Sequence, residues 1–247
     1  MRLKVIGSSS SGNGYVLYNE NEALLIEAGT HLQGALLALK GTQSKVQGCI
    51  ITHEHGDHAA YVNEVLDHAI DVYATEGTCN AIKSSKILKP KAFKCIDGRY
   101  QAEKIGGFRV LPFRTEHDAA EPCGYLIQHA DLGKMVFVTD THYVANRFKG
   151  INHFMVECNY DHALLEARDI QGSLKNRIRR SHMSIDTCMD FLHANKCPEM
   201  RTITLIHLSH ESGDAKLFKK VVEDSFPAQV HIAEPGMEVE LFKDIPF

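Results

Sequence analysis

The sequence predicts a layered α/β fold in which two sheets pack together and helices cover their outer faces. Three observations lead there. Short apolar runs of strand type dominate the first half of the chain and return twice near its end. Helical patterns gather in the second half, and no internal repeat, low-complexity tract or proline-rich linker divides the chain. With 247 residues, 44% hydrophobic and 23% charged, the composition is that of an ordinary globular protein with a sizeable core. Residues 1–247 are read as a single domain.

The elements follow in order. Arg2–Gly7 and Tyr15–Tyr18 flank the turn-rich segment Ser8–Gly14, a hairpin-like arrangement. Ala23–Ile26 reads as a buried strand that ends at Glu27-Ala28-Gly29, and a helix is expected over His31–Lys40. Gly48–Thr52 is a short apolar run bounded by turn signals, which suits an interior strand, and it delivers the chain into His53. A helix from about Asp57 to His68 follows. Val72–Ala74, Ala92–Ile96, Phe108–Arg114, Cys123–His129, Lys134–Thr139 and Phe154–Glu157 are further predicted strands. Helices are predicted over Leu164–Ile178, Ile185–Ala194 and Ala215–Asp224, with strands at Thr202–His207 and Gln229–Ile232 between and after them.

Composition excludes several classes. No apolar run approaches the roughly 18–20 residues of a membrane span. The opening Met1–Gly7 is too short an apolar stretch for a signal peptide, so the expected location is the cytoplasm. Seven cysteines, an odd number with no Cys-x-x-Cys spacing, argue against a disulfide framework and against a thiolate zinc ribbon. Most are read as small buried hydrophobes. A net charge of −4 gives no global attraction to nucleic acid, which only a local basic patch would supply.

Fifteen histidines stand out, and their placement matters more than their number. His53-Glu54-His55-Gly56-Asp57-His58 follows the predicted strand directly. A strand end fixes the first side chain, and a loop containing glycine can curl around a small ion. Three imidazoles and a carboxylate within six residues are costly to hold together unless a cation neutralises and ligates them. Nitrogen and oxygen donors of this kind suit zinc, manganese or iron.

The pattern His53-x-His55-x-Asp57-His58 after an apolar strand resembles the signature of the metallo-β-lactamase superfamily, whose fold is a four-layer αββα sandwich. The resemblance implies roles for residues along nearly the whole chain. Glu27 takes the place of the usual aspartate that orients a histidine ligand. His117, the bridging Asp140 and His207 complete the set. One divalent ion is expected on His53, His55 and His117, and a second on Asp57, His58 and His207, with Asp140 shared. The stretches His117–Pro122, Thr139–Val144, Glu157–Asp161, Ser181–Ser184 and His207–Ser209 look like the bacterial YycJ/WalJ-type subfamily, as does the opening Gly7–Asn13. Members of that subfamily are phosphodiesterases acting on DNA, typically exonucleases, and the ribonuclease Z-like enzymes are related to them. His142 and Ser181 stand where the subfamily usually has glycine. His142 is expected to crowd the site, to add a ligand, or to be a plain exposed side chain.

The implied chemistry is hydrolysis by a dinuclear centre. Two ions about 3.5–4 Å apart stabilise both the attacking and the leaving oxygen, and bound water with a pKa near about 7 supplies hydroxide as the nucleophile. Asp57 and Asp140 are placed to hold it. The leaving 3′-oxygen needs a proton, for which His182 is the candidate donor with Glu157 orienting it. Alternatively, His182 merely precedes Ser184, a helix cap. Ser9, Ser10 and Asn13 offer backbone and side-chain donors for a phosphate, or form an ordinary hairpin loop. Lys175, Arg177, Arg179 and Arg180 place four cations just before His182, suited to a DNA backbone. A second basic run, Lys83, Lys86, Lys89, Lys91 and Lys94, reads as a solvated face. Two other readings remain open on the same fold: a small-ester or thioester hydrolase of glyoxalase II-like or lactonase-like type, and a metal-sensing or redox module without turnover.

Overall fold

The computed structural model describes residues 1–84 and 88–243. Two seven-stranded sheets carry the fold. Strands β1 (Arg2–Ser9), β2 (Gly12–Tyr18), β3 (Ala23–Ile26), β4 (Val46–Ile50), β5 (Val72–Ala74) and β6 (Lys91–Ala92) build the first. A two-stranded ribbon of β7 (Cys95–Ile96) and β8 (Arg99–Tyr100) follows. The second sheet takes β9 (Glu103–Ile105), β10 (Phe108–Arg114), β11 (Cys123–His129), β12 (Gly133–Val138), β13 (His153–Glu157), β14 (Thr202–Ile206) and β15 (Gln229–Ile232). Finally β16 (Glu238–Glu240) returns to the first sheet beside β1. In each sheet an antiparallel half gives way to a parallel half, β3 through β6 in the first and β12 through β15 in the second.

Side-chain alternation explains the layering. One cluster between the sheets draws on Leu3, Leu17, Ile26, Ile50, Phe108, Tyr125, Phe137 and Met155, the inward positions of strands from both sheets. On the outer face of the first sheet, helices α1 (Leu32–Ala38) and α3 (Val62–Asp67) bury Leu32, Ala35, Val62, Val65 and Leu66. On the outer face of the second, helices α7 (Ile185–Ala194) and α8 (Ala215–Ser225) bury Phe191, Leu192, Phe218 and Val222. This is the expected αββα layering. No described helix is long and apolar enough to cross a membrane.

Several predicted elements are divided. The helix expected over about Asp57 to His68 is two, α2 (Gly56–Ala59) and α3, because Tyr61 turns its N–H onto the carbonyl of Ala28. The helix expected over Leu164–Ile178 is also two, α5 (His162–Ala167) and α6 (Gly172–Ser181). Arg168 leaves the helical region, with its guanidinium held by Ser212 and Glu211. The run Ala92–Ile96 is split between the first sheet and the ribbon. The short helix α4 (Glu76–Ala81) and strands β8, β9 and β16 carry too little periodicity to be read from the sequence. Of the cysteines, Cys49, Cys123, Cys158 and Cys188 are buried, whereas Cys95 is exposed in the ribbon. Lys86 lies outside the described residues. Lys83, Lys89, Lys91 and Lys94 are exposed, with Lys91 paired to Asp71.

Candidate metal centre

The site forms where the parallel strands of both sheets end, the usual place for ligands in open α/β sheets. Glu27 follows β3, His53 follows β4, Asp140 follows β12, Glu157 ends β13 and His207 follows β14. Glu27, Asp140 and His207 all have positive φ, 66°, 46° and 54°. Such a backbone costs a non-glycine residue of order 1–3 kcal/mol and persists where surrounding structure holds it. Three such turns at one centre mark it as functional ground.

Two donor groups share the centre. In each, one nitrogen or oxygen per residue lies within 4.8 Å of all the others: His53, His55 and His117 in one, Asp57, His58, Asp140 and His207 in the other. The distant His117 and His207 thus meet the motif on the loop after β4. His117 Nε2 lies 3.2 Å from His55 Nδ1 and 3.7 Å from Asp140 Oδ2. His58 Nε2 lies 3.3 Å from Asp57 Oδ2 and 3.4 Å from Asp140 Oδ1, and His207 Nε2 lies 3.4 Å from Asp57 Oδ2.

The far side of each ring is held in turn. His117 Nδ1 donates to the carbonyl of Ser181 at 3.0 Å, which leaves Nε2 as a lone-pair donor. His53 Nδ1 meets Thr52 Oγ1 at 3.0 Å, while its buried Nε2 has no hydrogen-bond partner and sits 3.8 Å from Asp140 Oδ2. Glu27 Oε2 is 3.5 Å from His58 Nδ1, an electrostatic contact at the limit of a hydrogen bond, and the same carboxylate accepts from the Thr52 N–H. Burial pushes the Glu27 carboxyl up against the pull of His58. Burial, reinforced by repulsion from His58, holds the His53 imidazole well below its ordinary pKa, in the neutral form that ligates.

The other group behaves oppositely. Burial works against charge on His58 and His207, but Asp140 and its neighbours outweigh it, holding His58 well above its ordinary value and His207 up at about 10. The same imidazoles draw the Asp140 and Asp57 carboxyls below theirs, against burial. Buried carboxylates that need this much positive charge fit divalent cations, whose binding displaces such protons. The orphaned His53 Nε2 and the all-nitrogen and oxygen donor set fit zinc-type ions as well.

Beside these groups, His182 Nδ1 lies 2.6 Å from Glu157 Oε1. The other oxygen of Glu157 accepts from the N–H groups of Thr141 at 3.0 Å and Met183 at 3.2 Å. Glu157 is fully buried, and its charge, against the cost of burial, raises the His182 pKa. A cavity of about 260 Å³ opens over the centre, lined by Ser10, Asp57, Leu174, Arg177, Ile178 and His182 among others.

Not every expected substrate residue faces that cavity. Ser10 and Arg177 line it, but Ser9 spends its hydroxyl on the Ser11 N–H. Asn13 is buried and unavailable to a ligand. Its amide donates to the carbonyls of Ser9 and Asp57 and lies 3.2 Å from His58 Nε2, so it braces the donor loop instead. Lys175 donates to the Glu166 carbonyl at 2.6 Å and Arg179 pairs with the Glu166 carboxylate, so two of the four expected cations are tied to one residue of the protein itself. Arg180 is exposed and does not line the cavity, and exposed His142 belongs to neither donor group. Sequence reasoning missed two further braces. Ser8 Oγ accepts from the His207 N–H at 3.0 Å, and Asn159 donates to the His207 carbonyl at 2.8 Å.

A family model described as the β-lactamase superfamily domain matches residues 23–215. An exodeoxyribonuclease YycJ of Bacillus anthracis is 28% identical over 98% of this chain and 98% of its own length. An exodeoxyribonuclease WalJ of Streptococcus pneumoniae is 28% identical over 97% of this chain and 91% of its own. Among solved structures, the metallo-β-lactamase fold protein YhfI of Bacillus subtilis superposes with a TM-score of 0.72 at 18% identity, covering 97% of this chain and 99% of that one. The short form of human tRNase Z does so with a TM-score of 0.65 at 16% identity, covering 98% and 99%. At these identities the structures speak for the fold alone. With the family matched over most of its length and the histidine and aspartate groups gathered at the ends of paired sheets, the chain belongs to the β-lactamase superfamily and is a metal-dependent hydrolase of the metallo-β-lactamase fold.

Proposed function

We propose that the chain is a dinuclear phosphodiesterase that removes nucleotides from the ends of DNA. The observation that carries the reading is the 2.6 Å contact between Glu157 and His182 at the edge of the donor groups. A 3′-oxygen leaves poorly without a proton, whereas small activated esters do not need this device. The names of the two curated relatives, both exodeoxyribonucleases, support DNA as the substrate and an end as the point of attack.

Two divalent ions, zinc or manganese and also compatible with iron, on His53, His55, His117 and on Asp57, His58, His207 with Asp140 shared, would supply Lewis-acid stabilisation of the phosphoryl group and activate water. The chain's own residues do the rest. Asp57 and Asp140 orient the attacking water and accept its proton. His182 donates from Nε2 to the leaving oxygen, while Glu157 fixes the tautomer through Nδ1 and stabilises the imidazolium. Arg177, free of a carboxylate partner among the described residues, takes a flanking phosphate, and Ser10 lines the same cavity. Residues 1–247 work as a single domain, since β16 closes onto β1. Seven free cysteines suit a reducing compartment such as the cytoplasm.

The test is digestion of end-labelled single-stranded and duplex DNA, RNA, a thioester and a lactone with zinc, manganese or iron. Mononucleotides released progressively from DNA are the expected result. Turnover of the thioester or lactone with intact DNA would favour the glyoxalase II-like or lactonase-like reading instead.

A further inference from the structure

At the opposite end of the second sheet from the metal centre lies a second feature, built on strand register. Arg109 pairs with Gln128 across β10 and β11, and Gln128 with Lys134 across β11 and β12. The Asn152 N–H then bonds the Lys134 carbonyl at 2.9 Å, and the Arg201 N–H bonds the Asn152 carbonyl at 2.7 Å. Residues directly opposite one another share a face of the sheet. Arg109, Gln128, Lys134, Asn152 and Arg201 therefore form one row across β10 to β14. Four strand spacings make that row about 19 Å long.

The row is on the helix-covered face, but below the helices. Two residues further along the strands, the equivalent row is Leu111, Leu126, Val136, Phe154 and Ile203, and its members from β11 to β14 pack against the apolar cluster under α7 and α8. At the basic row the cover stops. The row floors an open groove of about 700 Å³, with Lys243 and three glycines, Gly107, Gly133 and Gly150, completing it.

Its charge is unbalanced. Arg109, Lys134, Arg201 and Lys243 line the groove against one exposed acid, Glu199, in a chain whose net charge is −4. None of the four makes an ion pair among the described residues. Lys134 donates only to the Lys149 carbonyl and Arg201 only to the carbonyls of Pro198 and Met200, and the buried Arg201 Nε has no partner. The contrast with Lys175 and Arg179 beside the metal centre, both tied to Glu166, is direct. A small anion would engage one or two of these cations. A linear polyanion engages the whole row.

We propose that this row binds the sugar-phosphate backbone of nucleic acid, as an anchor remote from the metal centre and independent of metal. Its recognition is electrostatic, carried by the cations on the phosphates. Only a nucleic acid longer than the row can also reach the metal centre at the other end of the sheet. The anchor therefore favours long nucleic acid over short.

Fluorescence anisotropy tests this on the full chain, with a labelled phosphorothioate DNA long enough to span the row, so that binding is read without cleavage. For R109E/K134E, affinity is expected to fall at least about tenfold, and the slope of log K against log salt to drop by about 2. R109Q/K134Q gives the same loss of slope if charge reversal disturbs folding, which circular dichroism reports, and R109K/K134R retains affinity. Less than a twofold change in affinity in both the reversed and the neutralised variants overturns the proposal. So does polyglutamate binding as tightly as DNA, since the groove would then serve an acidic protein segment. Because the readout is binding, it stands or falls separately from the nuclease chemistry.

Discussion

Replacing Glu157 by glutamine tests the proton-donor device without changing its shape. The hydrogen bonds of the Glu157 carboxylate come from His182 Nδ1 on Oε1 and from the Thr141 and Met183 N–H groups on Oε2, and His207 Nδ1 lies 3.4 Å from Oε1. Glutamine offers one acceptor oxygen and an NH₂. If the oxygen stays with the backbone pair, the NH₂ faces His182 and donates to Nδ1, which disfavours the imidazolium and leaves on Nε2 only the proton of a neutral ring, a far weaker acid. If it turns to His182, two buried N–H groups lose their partner at about 1–3 kcal/mol. The variant also loses the charge that raises the His182 pKa above its ordinary value. A proton donor must be protonated to act, so the raised pKa extends activity toward high pH, and its loss moves the alkaline limb of the rate profile to lower pH. Loss of a general acid corresponds to about 10²–10⁴ in rate. The assay is kcat against pH on DNA, beside bis-p-nitrophenyl phosphate, whose phenolic leaving group departs without a proton. Assayed at saturating metal, because Glu157 also lies 3.4 Å from His207 Nδ1, the variant should lose about a hundredfold or more on DNA and far less on the phenolic diester. Equal losses on both substrates, or none, would refute the role of His182.

Other perturbations probe the braces and the core. E27D draws the carboxylate back by about 1.5 Å from a His58 contact already at 3.5 Å, so metal affinity should fall about 10–100-fold in a chelator competition. N13A removes the amide that ties the Asp57 carbonyl and His58, and should lower both metal affinity and stability, the latter by about 1–3 kcal/mol in urea unfolding, without altering the pH profile of the remaining activity. Far from the centre, burial holds the His153 imidazole down at about 4, against about 6.5 when unfolded. The folded chain then binds fewer protons, so stability is lost as pH falls through about 6.5 and levels off below about 4. H153L should remove about 2 kcal/mol of the stability difference between about pH 7.5 and about pH 5, measured by urea unfolding at equal metal content.

The parts of this account legible in the sequence are those with short-range signatures. The apolar run into His53 predicted a strand end, and the motif after it predicted where donors would gather. Long-range partners such as His117 and His207 were reachable only through family resemblance, because an isolated histidine carries no spacing signal. The braces Ser8 and Asn159 act through hydrogen bonds between segments far apart in sequence, and serine and asparagine are common in any loop. Lys175 and Arg179 looked like free cations because Glu166, which pairs with both, sits on the neighbouring helix, and the break at Arg168 between those helices is announced only by Gly172 at the start of the second. The basic row is invisible in linear order, since Arg109, Lys134 and Arg201 are brought together only by strand register.

The central claim is that seven side chains from distant segments converge to hold a pair of divalent ions. Elemental analysis of the purified chain beside H55A, H117A and H207A tests it most directly. Close to two equivalents of transition metal are expected in the parent protein, with a clear loss in each variant. A parent chain that takes up no such metal under any loading condition, or variants that keep the full complement, would contradict it.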